Sequence, residues 1–378
     1  MSNVTPLVSI GIPTYNRASK LRKCLNSVLQ QSYSNLEVII SDNFSSDFTP
    51  DVCRDVMSQD HRIKTYRQTK NIKGVPNFNF IRKKSTGAYF MLLGDDDWID
   101  PLLIQSCVTF LEDHPDYIAA SGQTIYYREN NIRFKGISLS IQSNNPSKRL
   151  MSTISQLIDA GTFYALYRAE MANDIPYLDA WGMDYYYLCE ASFRGKIITL
   201  DEVACHRNDT SHLRSIKEFL DREGHVDGQE DDPYGVIASI LFWGIIEGGN
   251  IFRNLSDYDR WTLAAEAVKI ISNRWRVTGE LNLLNIAAAV FPDKNLLTKY
   301  YDLRIKIMSE WLLTSKSSRN SQWYFARKIL KIFNQLNFEY PPSNSADREL
   351  INDIINASAT IDDPELKNDA EHILSLFA

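Results

Sequence analysis

Asp95-Asp96-Asp97 follows the apolar run Tyr89-Phe90-Met91-Leu92-Leu93-Gly94. A run of that length and composition predicts a buried strand. Three carboxylates then emerge together at a strand end, where open α/β sheets take their ligands. Three like charges in one place call for a counter-cation. Carboxylate oxygens suit the hard ions Mg²⁺ and Mn²⁺, and Mg²⁺ is typically held by one or two carboxylates plus the phosphates of a substrate. The chemistry implied is a metal-bridged diphosphate. The same triplet can also be read as a solvated acidic turn before a helix, with Asp100 as its N-cap and Pro101 at its first position.

The elements upstream place further polar turns beside the triplet. Val8-Ser9-Ile10-Gly11-Ile12 reads as a strand, Pro13-Thr14-Tyr15-Asn16-Arg17 as a turn, and Leu21, Cys24, Leu25, Val28 and Leu29 as the apolar stripe of a helix. The pattern repeats. Leu36-Glu37-Val38-Ile39-Ile40-Ser41 leads into the turn Asp42-Asn43-Phe44-Ser45-Ser46-Asp47 and a helix over 49–57. Ile63 to Arg67 alternates like a third strand, and Asn71 to Asn77 breaks the pattern before a helix through Ile81. This predicts an α/β domain with a mostly parallel sheet, whose polar strand ends share one crevice.

These residues carry a pattern that resembles the family 2 glycosyltransferases of the GT-A fold. The matching segments are Val8 to Asn16, Leu25 to Tyr33, Leu36 to Asn43, then Asn71, Gly74 and Asn77, and Gly94 to Pro101. Four motifs agree in order and spacing; the likeness covers roughly residues 5 to 215 and weakens after Pro101. It implies a Rossmann-like sheet with flanking helices, a nucleotide diphosphate sugar as donor, UDP- or dTDP-linked in preference to GDP-linked, and Mn²⁺ or Mg²⁺ as cofactor. The nucleotide-sugar side falls on Pro13, Thr14, Tyr15, Asn16, Asp42, Asn71, Gly74, Asn77 and Asp95. Asp42 is acceptor-only and suits an imide N–H such as that of uracil, and the Tyr15 ring could stack on the base. Asn43 stands where the family often has a second Asp.

The resemblance also implies roles within the triplet. The family pattern Asp-X-Asp-Asp, counted back from Pro101, places Gly94 at the first Asp and Asp96 on the metal, with Asp97 orienting the site from behind. The other register puts Asp97 itself on the metal. Asp184, in Trp181-Gly182-Met183-Asp184-Tyr185, resembles the Asp of the family's Glu-Asp motif at a helix start, with Met183 replacing the usual Glu. It is the expected base, and attack opposite the diphosphate inverts the anomeric centre. Cys205 to His212 lies where the family often has a Tyr-Arg-X-His-type segment. Its spacing leaves His206, Asp209 and His212 as candidates beside the metal or diphosphate. Gly161 to Arg168 is expected to line the acceptor side or to form a buried strand.

Length and charge set the remaining bounds. Hydrophobic residues make up 44% of the chain and aromatics 11%, ample for more than one core. The expected organisation is a transferase domain over 1–217, a linker over 218–233 and an all-α region over 234–378, with helix-like spacing near 235–252, 260–274, 281–291, 295–314, 321–336, 346–357 and 364–377. Five scattered cysteines, and no signal-peptide pattern in Met1 to Leu7, suggest a cytoplasmic location. Residues 321–336 mix aromatic, aliphatic and basic side chains. Such a segment suits either a core helix or contact with the inner membrane face, where a lipid-linked rather than free glycan acceptor would lie. The net charge of −6, without a basic groove motif, argues against nucleic acid. A binding subunit that keeps the fold without the chemistry is the second function class, left open by Met183 and Gly94.

Overall fold

A computed structural model describes residues 5–209, 218, 233–246 and 251–274. The expected linker lies almost wholly outside the described residues. So do His212 and the helices expected near 281–291, 295–314, 321–336, 346–357 and 364–377. The described part is an α/β fold built on a ten-stranded mixed sheet with helices on both faces, as the sequence predicts.

The first half is the expected βα repeat. β1 (Val8–Thr14), α1 (Ala18–Leu29), β2 (Leu36–Asp42), α2 (Thr49–Gln59), β3 (Ile63–Arg67), α3 (Gly74–Lys84) and β4 (Tyr89–Leu92) follow one another, and strands β3, β2, β1 and β4 lie side by side in parallel. β1 and β2 are buried along nearly their whole length because helices cover both faces, which is why they read as continuous apolar runs. α1 contributes Leu21, Cys24, Leu25 and Val28 to the core on one face. On the other, α3 comes so close to β1 that a Cβ on Gly11 would lie 2.2 Å from Ile81 Cγ2.

The second half departs from the simple repeat. β5 (Trp98–Ile99), α4 (Leu103–Asp113), β6 (Tyr117–Arg128), β7 (Asn131–Lys135), β8 (Ser140–Ile141), α5 (Pro146–Gln156), β9 (Leu166–Arg168), α6 (Ala169–Ala172), α7 (Met183–Arg194) and β10 (Lys196–Asn208) complete the sheet in the order β3-β2-β1-β4-β9-β6-β10-β5. β9 runs antiparallel between β4 and β6, while β10 runs parallel to β6. Two local expectations change. Asp100 is not a helix cap: α4 begins at Leu103, and the Asp100 carboxylate instead accepts from Ala204 N at 2.9 Å and meets His206 Nε2 at 2.8 Å, closing the β5–β10 junction. Gly161 to Arg168 is not one strand, since Gly161–Tyr164 forms a 3₁₀ turn and only Leu166–Arg168 pairs.

Among the described residues the chain divides into two compact units. The first runs to Gly244 and resumes at Ala265; the second takes Ile245–Ala264. The helix Pro233–Ile246 begins in the first, where Gly244 lies close against Tyr186 of α7 and Ile237 against Gly182. In the second, Arg260 Nη1 donates to the Ile246 carbonyl at 3.1 Å. Everything described below lies in the first unit. No helix among the described residues is long and apolar enough to cross a membrane.

Candidate active site

Parallel pairing fixes which turns share the crevice. Thr14 is the register partner of Asp42, and Leu93 N donates to the Gly11 carbonyl at 2.9 Å, so the chain leaves β1, β2 and β4 on the same edge. The first two turns are laced together. Asn16, with φ 54°, accepts from Ser46 N at 2.8 Å through its Oδ1, and its own N–H donates to Ser45 Oγ at 2.9 Å. An Asn tolerates that left-handed backbone where a branched residue would not.

Asp42 is 2% exposed. Its Oδ1 accepts from Ser45 N at 2.9 Å, which is an Asx-type turn. Its Oδ2 is buried without a hydrogen bond, and Arg67 Nε stands 3.7 Å away. A buried carboxylate oxygen left without a donor is costly unless a ligand supplies one. The Tyr15 ring, one residue beyond Thr14, the register partner of Asp42, is exposed, and so is Phe44, which has φ 70° and Arg67 above its face.

Of the other residues expected on the donor side, Asn71 is exposed and Asn77 is buried. Asn71 Oδ1 accepts from Asn43 Nδ2 at 3.0 Å and from Lys73 N at 2.9 Å. Asn77 is buried, accepting from Ser41 Oγ at 2.6 Å and donating to the Ser41 carbonyl at 3.2 Å. Asn71 Oδ1 and the Asn77 amide tie the β2 turn to the start of α3 at Gly74. The buried Asn77 bears on a ligand through the position of the β2 end that carries Asp42.

The triplet separates into three environments. Asp95 is buried, with Arg17 Nη1 at 3.4 Å, and its pKa is pushed up to about 7, chiefly by burial; Arg17 opposes the shift and the two neighbouring carboxylates add to it. Asp97 is buried too, and burial raises its pKa, although Arg207 Nε donates to Oδ2 at 3.1 Å and Asn208 N to Oδ1 at 3.2 Å. Asp96 alone keeps a partly exposed carboxylate, facing Arg17 and, at 3.5 Å, Lys20 Nζ. Sequence reasoning missed these two cations. The signal available was their position on the turn and first helical residues after β1, directly beside Asn16.

Asp184 sits in the first turn of α7, behind Gly182 in the left-handed region (φ 78°). Its Oδ1 accepts from Tyr185 N at 3.0 Å. Protein packed around it raises its pKa, against the pull of that N–H and of Arg207. Arg207 therefore acts on Asp97 and Asp184 together, and its guanidinium lies 4.0 Å from the centroid of Tyr164 and 5.8 Å from that of Tyr126. This brings the expected base into the neighbourhood of the triplet.

His206 and Asp209 are otherwise engaged. His206 stacks on Trp98 (centroids 5.2 Å apart, 8° between planes), with Nε2 on Asp100 and Nδ1 3.1 Å from the Tyr127 hydroxyl. Asp209 Oδ2 receives Arg128 at 2.9 Å and Arg133 at 2.5 Å. Both fasten the ends of β6, β7 and β10 and leave neither a free imidazole nitrogen nor a free carboxylate for a metal.

Among the described residues no three His, Cys, Asp or Glu side chains converge into a metal cage. The donor set nevertheless fits a hard cation bound in the Mg²⁺ manner, with one partly exposed carboxylate from the chain and the remaining oxygens from a diphosphate and water. Asp96 is the most exposed carboxylate of the triplet, with 16% of its side chain accessible against 10% for Asp95 and 3% for Asp97. Asp97, committed to Arg207 and Asn208, stands behind it.

Comparison with known proteins bears on the family and the fold. The model of glycosyl transferase family 2 matches residues 9–175. "Glycosyltransferase GlyA" of Streptococcus pneumoniae is 24% identical over 47% of this chain and 24% of its own length. A Campylobacter jejuni "GalNAc(5)-diNAcBac-PP-undecaprenol beta-1,3-glucosyltransferase" is 30% identical over 45% of this chain and 54% of its own. The chain thus spans between a quarter and about half of the length of these relatives. S. aureus TarS 1-349 in complex with UDP-GlcNAc superposes with a TM-score of 0.54 at 15% identity, over 80% of each chain, a likeness of fold.

Proposed function

From a chain that belongs to glycosyl transferase family 2 through residues 9–175, we propose a metal-dependent inverting transferase that moves a sugar from a nucleotide diphosphate sugar to a hydroxyl of a glycan acceptor. The observation that carries the donor is the buried Asp42 Oδ2, without a hydrogen bond at the end of β2, which β1 separates from β4 and the Asp triplet on the same edge of the sheet. The imide N–H of uracil or thymine supplies the missing donor, as the ring N1–H of guanine would, whereas the ring nitrogen of cytosine is an acceptor. The UDP-GlcNAc bound by the TarS structure favours uracil among the donors.

Each role rests on a specific environment. Asp42 holds the base edge and Tyr15 offers its exposed ring to the base face. Asp96 is the carboxylate that meets the cation. Mn²⁺ or Mg²⁺ there would neutralise the charge gathering on the leaving diphosphate. Asp97 fixes the loop through Arg207 and the Asn208 N–H. Asp184, with its raised pKa, takes the proton of the attacking hydroxyl through a carboxylate oxygen. Attack from the side opposite the diphosphate inverts the anomeric centre. The undecaprenol-linked glycan in the Campylobacter relative's name supports a place in cell-surface polysaccharide or glycoconjugate synthesis.

The test is calorimetry of UDP with Mn²⁺ and with EDTA, together with turnover of a panel of UDP- and dTDP-sugars. Metal-dependent UDP binding with sugar transfer is expected. Metal-dependent binding that stabilises the fold without any turnover would make the chain a binding subunit, and equal binding in EDTA would remove the cation from the site.

A further inference from the structure

One surface next to this site has no part in donor binding. The β6–β7 hairpin lays Phe134 flat on Tyr126, with centroids 4.4 Å apart and 21° between the planes, and Phe134 remains 42% exposed. Behind Tyr126 the order continues inward through the Arg207 guanidinium to Tyr164. Phe134, Tyr126, Arg207 and Tyr164 form a ladder of flat groups from solvent to the residue that acts on Asp184 and Asp97. The ladder is built firmly. Tyr126 OH donates to Asp159 Oδ1 at 2.9 Å, Asp159 Oδ2 accepts from Ile137 N at 3.0 Å, and Tyr185 OH donates to the Ile158 carbonyl at 3.0 Å. Cβ atoms on Gly136 and Gly161 would press on Asp159, at 3.2 and 2.8 Å from Oδ1.

We propose that the Phe134–Tyr126 stack is the acceptor subsite, a platform on which a pyranose ring of an oligosaccharide acceptor packs, one or more residues away from the hydroxyl that attacks. The proposal rests on the transferase reading above and names the acceptor class for that same site. A pyranose presents an apolar C–H face and a rim of hydroxyls. A part-exposed ring backed by a fixed second ring suits the C–H face, and the Arg133 guanidinium, 6.0 Å from the Phe134 centroid, offers donors to the hydroxyl rim. Half-exposed aromatic rings at a binding surface bury much area at little entropic cost, since they have few rotatable bonds.

The same patch, with Ile132 and Ile158 exposed and Arg133 and Lys135 between and beside them, could be read as a membrane contact. The charges oppose that reading. Arg128 and Arg133 are both taken up by Asp209, and the hairpin turn carries Glu129 and Asn130, both with positive φ, at the tip that would have to enter a bilayer. Continuity with Arg207 and Asp184 favours the saccharide.

The experiment is saturation-transfer NMR of the full chain against a panel of chito-, cello-, malto- and galacto-trisaccharides and their monosaccharides, on wild type, Phe134→Ala and Phe134→Trp. Melting curves confirm that each variant is folded. At least one trisaccharide is expected to bind wild type better than its monosaccharide, to lose about tenfold in affinity in Phe134→Ala, the size of one aromatic contact, and to recover in Phe134→Trp. Equal affinity in wild type and Phe134→Ala overturns the platform, and so does the absence of binding by every trisaccharide at millimolar concentration. Sedimentation with vesicles containing anionic lipid that is lost in Phe134→Ala, without saccharide binding, overturns it in favour of a membrane contact. UDP binding by wild type, measured alongside, separates these outcomes from a failure of the transferase reading, which would appear as no UDP binding at all.

Discussion

Asp42→Asn should change which base the protein prefers. The Asp42 carboxylate has two unlike oxygens, Oδ1 held by Ser45 N at 2.9 Å and Oδ2 buried without a hydrogen bond. An asparagine keeps its carbonyl oxygen on Ser45 N, because turning the amide over would set two N–H groups against each other. Its NH₂ then occupies the place of Oδ2 and points at the base. Against the imide N–H of uracil this is donor facing donor, and a hydrogen bond to a charged acceptor, worth about 1.5–3 kcal/mol, is lost. UDP affinity should fall by about 10- to 100-fold. Cytosine offers a ring nitrogen acceptor at the same edge, so CDP should lose little or gain. Calorimetry of UDP and CDP with wild type and variant in Mn²⁺ gives four affinities and one ratio. If UDP and CDP weaken by the same factor, Asp42 does not read the base, and its bare oxygen is an internal feature of the turn.

Three further outcomes follow from the charged groups. Asp96→Asn should abolish the Mn²⁺ dependence of UDP binding with little change in melting temperature, whereas Asp97→Asn should retain more of that binding but cost about 3 kcal/mol in urea unfolding by stranding Arg207; the opposite assignment of the two losses would favour the other register. Asp95 has a folded-state pKa of about 7 against an ordinary 3.8, so folding favours its protonated form, and without metal its contribution to stability is lost as pH rises from 4 through 7. In melting curves Asp95→Asn should therefore gain on wild type between pH 5 and 8, and a constant gap would contradict the burial argument. Asp184→Asn should leave UDP affinity within about threefold and slow transfer by at least about a hundredfold, measured with the true acceptor; loss of UDP binding as well would make its role structural.

The βα repeat was legible because parallel strands covered on both faces leave runs such as Leu36–Asp42, and because their turns are polar and regularly spaced. Asp42 and the triplet are legible for the same reason, whereas Asp184 at the start of α7 is found by its resemblance to the family's Glu-Asp motif. The second half resisted. β9 is three residues long and β5 is two, and their pairing depends on partners dozens of residues away, so no local period marks them. Asp100 looked like a helix cap because Asp-Pro is a strong local signal, and a long-range bond to Ala204 N displaced that signal. The acidic triplet suggested a cation by its charge alone. Its protein partners Arg17 and Lys20, at the start of α1, and Arg207, on β10, lie on two other segments and become visible only when the sheet brings them in.

Those partners bear on how the site handles charge before a donor arrives. Arg17 reaches Asp95 and Asp96, Lys20 reaches Asp96, and Arg207 holds Asp97, so each carboxylate of the triplet has a cation from the chain. The pairs differ in how easily they part. Asp97 is buried and Arg207 is pinned between two aromatic rings, so separating them would leave unpaired charge in a low dielectric. Lys20 is half-exposed, and an exposed ion pair is worth little, about 0–1 kcal/mol, whereas Arg17 is part-buried and also faces the buried Asp95. A diphosphate entering along Asp96 offers both cations a stronger anionic partner, at least cost where Lys20 is concerned. On the proposed reading that would release Asp96 to a divalent ion brought with the diphosphate. The part-exposed carboxylate and the buried one held by Arg207 thus sit in unlike environments, which is why substituting the two should have different consequences.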